Sequence, residues 1–245
     1  MPRTRIKICG IHDLASADAA VEAGADAVGL VFVRDSARRV TVKVAQQIVQ
    51  RLPAFVEPVG LFADAPTRHI REVASAVGLR TVQLHGEEHP GDVAALNDLR
   101  VIKAVAFHPS LVVESVGPWQ RERLTNLAAV LFDTPPPLAV TREGQSSAAG
   151  KPALLGGSGR AFDWHALAER CADETLSALP PLVLAGGLTP ENVAKAISVV
   201  RPYAVDVSSG VESSRGVKDV SRIRAFVEAV MGADAQRGAV GHRQG

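Results

Sequence analysis

The sequence predicts a single-domain TIM-type (β/α)8 barrel on three observations. Its 245 residues suit one globular domain, short β-branched runs alternate with alanine-rich helical stretches along the chain, and the runs number eight. An open doubly wound sheet of the Rossmann type shares the alternation, but eight βα units in about 230 residues fit the closed barrel better. Strands are expected near Arg5 to Cys9, Ala27 to Phe32, Pro58 to Phe62, Thr81 to Leu84, Val101 to Val105, Ala129 to Asp133, Leu182 to Ala185 and Ala204 to Val207. Each is short and mostly apolar, as a parallel strand covered on both faces must be. Between them Leu14, Ala17 and Val21 recur at helical spacing and stop before Gly24, and Ile70, Val73, Ala74 and Val77 stop before Gly78. Pro190 and Glu191 read as the first turn of another helix, and Ile223, Phe226, Val227 and Val230 as the apolar stripe of the last. The barrel is expected over residues 1–231, with a long loop after the sixth strand near 134–155 and a flexible glycine-rich tail over 232–245.

Composition narrows the function. With 27 basic against 26 acidic residues and a net charge of +1, the chain shows no basic stripe, so neither nucleic acid nor a membrane surface is an expected partner. No apolar stretch approaches the roughly 20 residues of a membrane span, and MPRTRIKICG lacks the apolar core of a signal peptide, which makes a cytoplasmic protein the expectation. Cys9 and Cys171 are far apart and outside any C-x-x-C pattern, so they suggest neither a disulfide framework nor a zinc site; Cys171 reads as helix packing. Aromatics are 4% of the chain, too few for base-stacking platforms, so the core is aliphatic.

Alternation along each strand sorts side chains by face. Ile6 and Ile8 belong against the helices, which turns Lys7 and Cys9 inward, with Cys9 at the carboxyl end where barrels of this kind keep their chemistry. The same parity sets Gln83 and His85 against Val82 and Leu84, Lys103 against Ile102 and Ala104, Asp133 against Phe132, and Asp206 against Val205 and Val207. Two lysines and two aspartates would then meet inside the barrel, tolerable only as pairs. A polar plug serving structure alone is the plainer reading of Lys7, Lys103 and Asp206. Cys9 stands at a strand mouth before a glycine, on the face of a lysine, where a thiol gains reactivity.

Glycine-rich turns occur at Gly156-Gly157-Ser158-Gly159, at Gly186-Gly187 after the seventh strand, and at Ser208-Ser209-Gly210 after the eighth. Backbone amides in such turns converge on anions, and barrels often hold a phosphate near these two strands. One such turn alone would mark only a bend; three together point to phosphate, with Arg160 either a direct contact or a solvated helix start. Arg34, Arg38 and Arg39 cluster after the second strand and suit carboxylate recognition, or else a solvated basic turn.

At IKICGI (Ile6 to Ile11), EAGADAVGLVF (Glu22 to Phe32), VQLHG (Val82 to Gly86), VIKA (Val101 to Ala104), LFD (Leu131 to Asp133), GGSGRAFDW (Gly156 to Trp164), LAGGLTPENV (Leu184 to Val193) and DVSSGVE (Asp206 to Glu212), the chain resembles the phosphoribosylanthranilate isomerases of tryptophan biosynthesis over nearly its whole length. The resemblance implies an Amadori rearrangement of N-(5-phosphoribosyl)anthranilate to 1-(2-carboxyphenylamino)-1-deoxyribulose 5-phosphate. It implies Cys9 as general base, Asp133 as general acid, and Arg38 on the anthranilate carboxylate. It places phosphate at Gly157, Ser158, Gly159, Gly187, Ser209 and Gly210, and implies no metal and no cofactor. Lys7, His85 and Asp206 are the remaining candidates for substrate contact. Ser158 and Arg160 replace the family's usual threonine and lysine, keeping a hydroxyl and a positive charge, and the loop after the sixth strand is longer than usual. His12 stands where a threonine is common and receives no role.

For this chemistry the two pKa values must be pushed apart, the thiol's down by Lys7 and the carboxyl's up by burial or by a neighbouring acid such as Asp206. Two alternatives remain: a related isomerase acting on another phosphoribosylamine, whose histidine-pathway representative carries an aspartate where Cys9 stands, and a barrel that binds a phosphate sugar without catalysis. Indole-glycerol-phosphate synthase, which relies on lysine and glutamate at its strand ends, is not marked by such a cysteine. The expected partner is a small phosphoribosyl substrate, with monomer and homodimer both open.

Overall fold

A computed structural model describes residues 3–134, 162–173 and 175–241, with side chains as far as Arg237. Eight parallel strands close in sequence order: β1 (Arg5–Cys9), β2 (Ala27–Val31), β3 (Glu57–Phe62), β4 (Thr81–Leu84), β5 (Arg100–Ala106), β6 (Leu127–Asp133), β7 (Leu182–Leu184) and β8 (Ala204–Val207). β8 pairs back to β1 and sets Lys7 opposite Asp206. Closure, which an open Rossmann sheet lacks, leaves no edge strand to protect. The helices are α1 (Leu14–Ala23), α2 (Val42–Arg51), α3 (Thr67–Val77), α4 (Pro90–Ala95), α5 (Val112–Arg121), α6 (Trp164–Ala172), α7 (Val193–Val200) and α8 (Val220–Gly241). α1 and α3 end where expected, at left-handed Gly24 and Gly78. Pro190 lies in a turn, and α7 begins only at Val193, because Asn192 folds back to accept the Thr189 N–H at 2.8 Å.

Two apolar layers follow from the alternation. Ile6, Ile8, Val28, Leu84, Val130, Phe132 and Val205 face the helices, each almost wholly buried; burial of one such side chain stabilises the fold by about 1.5–3 kcal/mol. Ile102, Ala104, Ala129, Leu131, Val183 and Ala204 fill the interior. This corrects the reading of Lys103. Parity had separated it from Ile102 and Ala104, but those two point inward, so Lys103 points toward the helices. There its Nζ donates to Glu88 at 2.7 Å and to the Gly86 carbonyl at 2.6 Å, and lies 5.8 Å from the Trp119 ring centre.

The C-terminus differs too. A flexible tail was expected from residue 232, yet α8 continues to Gly241. Ile223, Phe226, Val227 and Val230 seat it against the core as expected, and it packs on α1 and α7. Beyond them Asp234 accepts the Thr4 backbone N–H at 2.6 Å and the Thr4 hydroxyl at 2.8 Å, fastening the added turns to the segment before β1. Cys171, expected in helix packing, is exposed on α6. A hairpin not foreseen in the sequence, β9 (Glu212–Ser214) and β10 (Val217–Lys218), follows a single 3₁₀ turn, Ser209–Val211. The loop placed at 134–155 lies beyond the described residues after Thr134.

Candidate active site

The carboxyl ends of the strands surround a solvent-open cavity lined by Cys9, Arg38, His85, Asp133, Gly187 and Asp206, with Ser209 at its side. These were named from separate stretches of sequence, and barrel closure brings them to one mouth. Lys7 and Gly210 stand behind this surface. Gly157, Ser158, Gly159 and Arg160 lie outside the described residues.

The floor is built by β1 and β8. Lys7 Nζ lies 2.9 Å from Asp206 Oδ2 with both side chains almost fully buried, the pairing that parity required. Burial alone would lower the Lys7 pKa, but the attraction of Asp206 and of Cys9 outweighs it and raises the pKa. Asp206 Oδ1 is buried with no protein partner among the described residues. Asp206→Ala would leave the lysine without its counter-ion, and we expect a loss of about 3–5 kcal/mol of stability. Urea unfolding measures it, and a midpoint equal to that of the unmodified protein would show that water replaces the carboxylate at no cost.

Cys9 follows Lys7 by one inward position. Its register partner is Gly29 on β2, and a Cβ there would stand 2.7 Å from Cys9 Sγ and 3.1 Å from Lys7 Nζ. Only glycine leaves both groups their place. The expectation that Lys7 depresses the thiol is corrected: burial, the largest influence, pushes the Cys9 pKa up, and the lowering by Lys7 does not overcome it. Asp206, which pairs with the lysine, adds to the rise by disfavouring the thiolate.

Across the barrel Asp133 ends β6. Its Oδ1 accepts the Thr134 N–H at 2.7 Å, and its Oδ2 lies 3.3 Å from His85 Nε2. Among the described residues its partners are thus Thr134 and His85, while Asp206 pairs with Lys7. His85 Nδ1 is in turn 2.8 Å from the amide nitrogen of fully buried Gln83. Gln83 had been sorted by parity without a role; here it orients the imidazole.

Arg38 reaches the cavity from the loop after β2. One edge of its guanidinium is held by Glu212, Nε to Oε1 at 2.6 Å and Nη2 to Oε2 at 2.9 Å. Glu212 also accepts from Lys218 Nζ at 2.9 Å, and these contacts hold its carboxyl below the usual range although burial works the other way. Neither Glu212 nor Lys218 was singled out in sequence. Glu212 closes the DVSSGVE motif, the one available signal, but its partner is 174 residues away. At the side of the cavity the loops after β7 and β8 pack so closely that a Cβ on Gly210 would strike the Leu188 carbonyl. Among the described residues no group of three acidic, histidine or cysteine side chains is arranged to hold a metal ion.

A thiol from β1 and a histidine-paired carboxyl from β6 face one cavity at the carboxyl end of the strands, the place where (β/α)8-barrel enzymes keep their chemistry. Residues 6–229 match the family described as N-(5′-phosphoribosyl)anthranilate (PRA) isomerase. The chain is 43% identical over 230 residues to the N-(5′-phosphoribosyl)anthranilate isomerase of Pseudomonas aeruginosa, covering 94% of this chain and 96% of that one. A crystal structure of phosphoribosyl anthranilate isomerase in complex with reduced 1-(o-carboxyphenylamino)-1-deoxyribulose 5-phosphate superposes with a TM-score of 0.74 at 37% identity, covering 94% of this chain and 99% of that one. Monomers generated from the dimeric isomerase of Thermotoga maritima superpose at 0.73 with 36% identity and the same coverage. The chain belongs to the phosphoribosylanthranilate isomerase family.

Proposed function

We propose that the chain catalyses the Amadori rearrangement of N-(5-phosphoribosyl)anthranilate, the isomerisation step of tryptophan biosynthesis, with Asp133 as general acid and Cys9 as general base. Asp133 donates a proton to the furanose ring oxygen as the C1′–O bond breaks, giving the open-chain iminium. Cys9, as thiolate, removes the proton on C2′; the C–H pair forms the C1′=C2′ double bond and the C1′=N π pair returns to nitrogen, giving the enolamine. Ketonisation follows when C1′ gains a proton and the C2′ hydroxyl loses one. Asp206, which lines the cavity, takes a sugar hydroxyl, and Lys7 holds it from below. Arg38 takes the anthranilate carboxylate, and the phosphate lies against the loops of Gly187 and Ser209, joined by Gly157, Ser158, Gly159 and Gly210.

The observation that carries this reading is that Cys9 and Asp133, from strands on different sides of the barrel, line one cavity. The ligand of the related crystal structure, a reduced form of the expected product, supports the substrate class. Cys9 favours anthranilate over the histidine-pathway substrate, since that isomerase resembles this one with an aspartate in its place. Following the loss of phosphoribosylanthranilate fluorescence tests it: turnover is expected, whereas binding without turnover would leave a silent phosphate-sugar barrel.

The partner is therefore a small molecule, and no helix among the described residues is long and apolar enough to cross a membrane. Between monomer and homodimer we favour the latter. Phe55, between α2 and β3, is 97% exposed beside the opening at the amino-terminal end of the barrel, and the Thermotoga relative is described as dimeric. Sedimentation should show a dimer that Phe55→Gln weakens; a monomeric unmodified protein overturns the assignment.

A further inference from the structure

We infer that Glu212 is the positioning residue of the anthranilate subsite. It does not line the cavity, and it aims Arg38, the residue that does. The inference rests on the reading of Arg38 as the carboxylate contact. A guanidinium offers five N–H donors in a rigid fork, but its flexible stem must be fixed before the fork can select a planar anion. Glu212 fixes it by occupying Nε and Nη2 together, and among the described residues Nη1 has no protein acceptor. The carboxylate is itself immobile. Gly216 N donates to Oε2 at 3.0 Å, Lys218 Nζ to Oε1 at 2.9 Å, and the same ammonium donates to the Ser208 carbonyl at 2.8 Å. The β9–β10 hairpin is thereby tied to the loop after β8, and the Arg38 fork to the hairpin. Its side chain is 4% exposed, so this is a built cluster and not a surface ion pair. Two cations against one carboxylate leave an excess positive charge beside the cavity.

Positioning and simple charge make opposite predictions. As a negative charge near the ligand's carboxylate, Glu212 would oppose binding, and its neutralisation would tighten it. As a positioning residue, its loss frees Arg38 and weakens binding in spite of the favourable change in charge. The experiment is calorimetry of Glu212→Gln with two ligands, reduced 1-(o-carboxyphenylamino)-1-deoxyribulose 5-phosphate and the same compound lacking the ring carboxylate. We expect affinity for the first to fall about tenfold or more, the scale of one charge-assisted hydrogen bond, with little change for the second. In turnover the loss should fall on KM, leaving kcat near its original value. Tighter binding of the carboxylated ligand, or an equal loss for both, overturns the inference, because a general structural defect cannot distinguish a ring carboxylate. Glu212→Asp, which keeps the charge but withdraws the oxygens by one methylene, should show the same selective loss and serves if the glutamine variant does not fold. Arg38→Ala separates the two levels. If it fails to discriminate between the ligands, the carboxylate reading falls; if it discriminates and neither Glu212 variant does, only the role of Glu212 falls.

Discussion

Cys9→Ala should lower turnover by about 10²–10⁴-fold, the usual contribution of a positioned general base, while the barrel remains folded. The expectation of an intact fold comes from the neighbourhood. Lys7 keeps its ion pair with Asp206, and the lost sulfur borders the open cavity and the space that Gly29 leaves beside it. KM should change little, because Cys9 acts on a proton and carries no anchoring contact to carboxylate or phosphate. The pH dependence follows from burial. The active form is the thiolate, and burial raises the pKa of the thiol above its ordinary value, so kcat/KM should climb with pH through the alkaline range. Stopped assays across that range read it, and a rate that is flat through the alkaline limb, or a Cys9→Ala protein with near-normal turnover, would remove the thiol from the mechanism.

Asp133→Asn should produce a loss of similar size, about 10²–10⁴-fold, for the complementary reason. Asparagine keeps the shape and can still accept the Thr134 N–H through its side-chain oxygen, so that local contact is kept; the group that gives a proton to the ring oxygen is gone. The effect belongs in kcat, with affinity for a reduced product analogue retained. If turnover survives in the asparagine variant, the donor is another group, and His85, 3.3 Å from the carboxylate, is next in reach.

Much of this was legible before any coordinates. Eight hydrophobic runs in alternation with helical spacing require a parallel sheet with helical crossovers, and the strand period of two placed Lys7, Cys9, His85, Asp133 and Asp206 on inward faces that the structure reproduces. The same rule failed at Lys103 for an instructive reason. Alternation divides a strand into two faces but does not say which one is inside; that is settled by what the neighbours supply. Small Ala104, with Ile102, fits the narrow interior, while Glu88 and two carbonyls await the lysine outside. At the C-terminus, Gly232 and its polar neighbours suggested fraying, but the helix is held by Asp234 and Thr4, contacts that no local pattern contains. The depressed thiol failed similarly: adjacency to a lysine and that lysine's need of an aspartate were visible, whereas the depth of burial that pushes the thiol up was not.

The sequence by itself determined the barrel and the family and set the proposed reacting pair at inward strand ends, because periodicity and motif are local properties that survive in one dimension. Tertiary structure alone decided which face of β5 meets the core, how burial sets the Cys9 thiol, and that Glu212 holds Arg38. The first rests on partners from the neighbouring β4 and the loop after it; the other two are balances of desolvation and charge between groups that become neighbours when the eighth strand closes on the first.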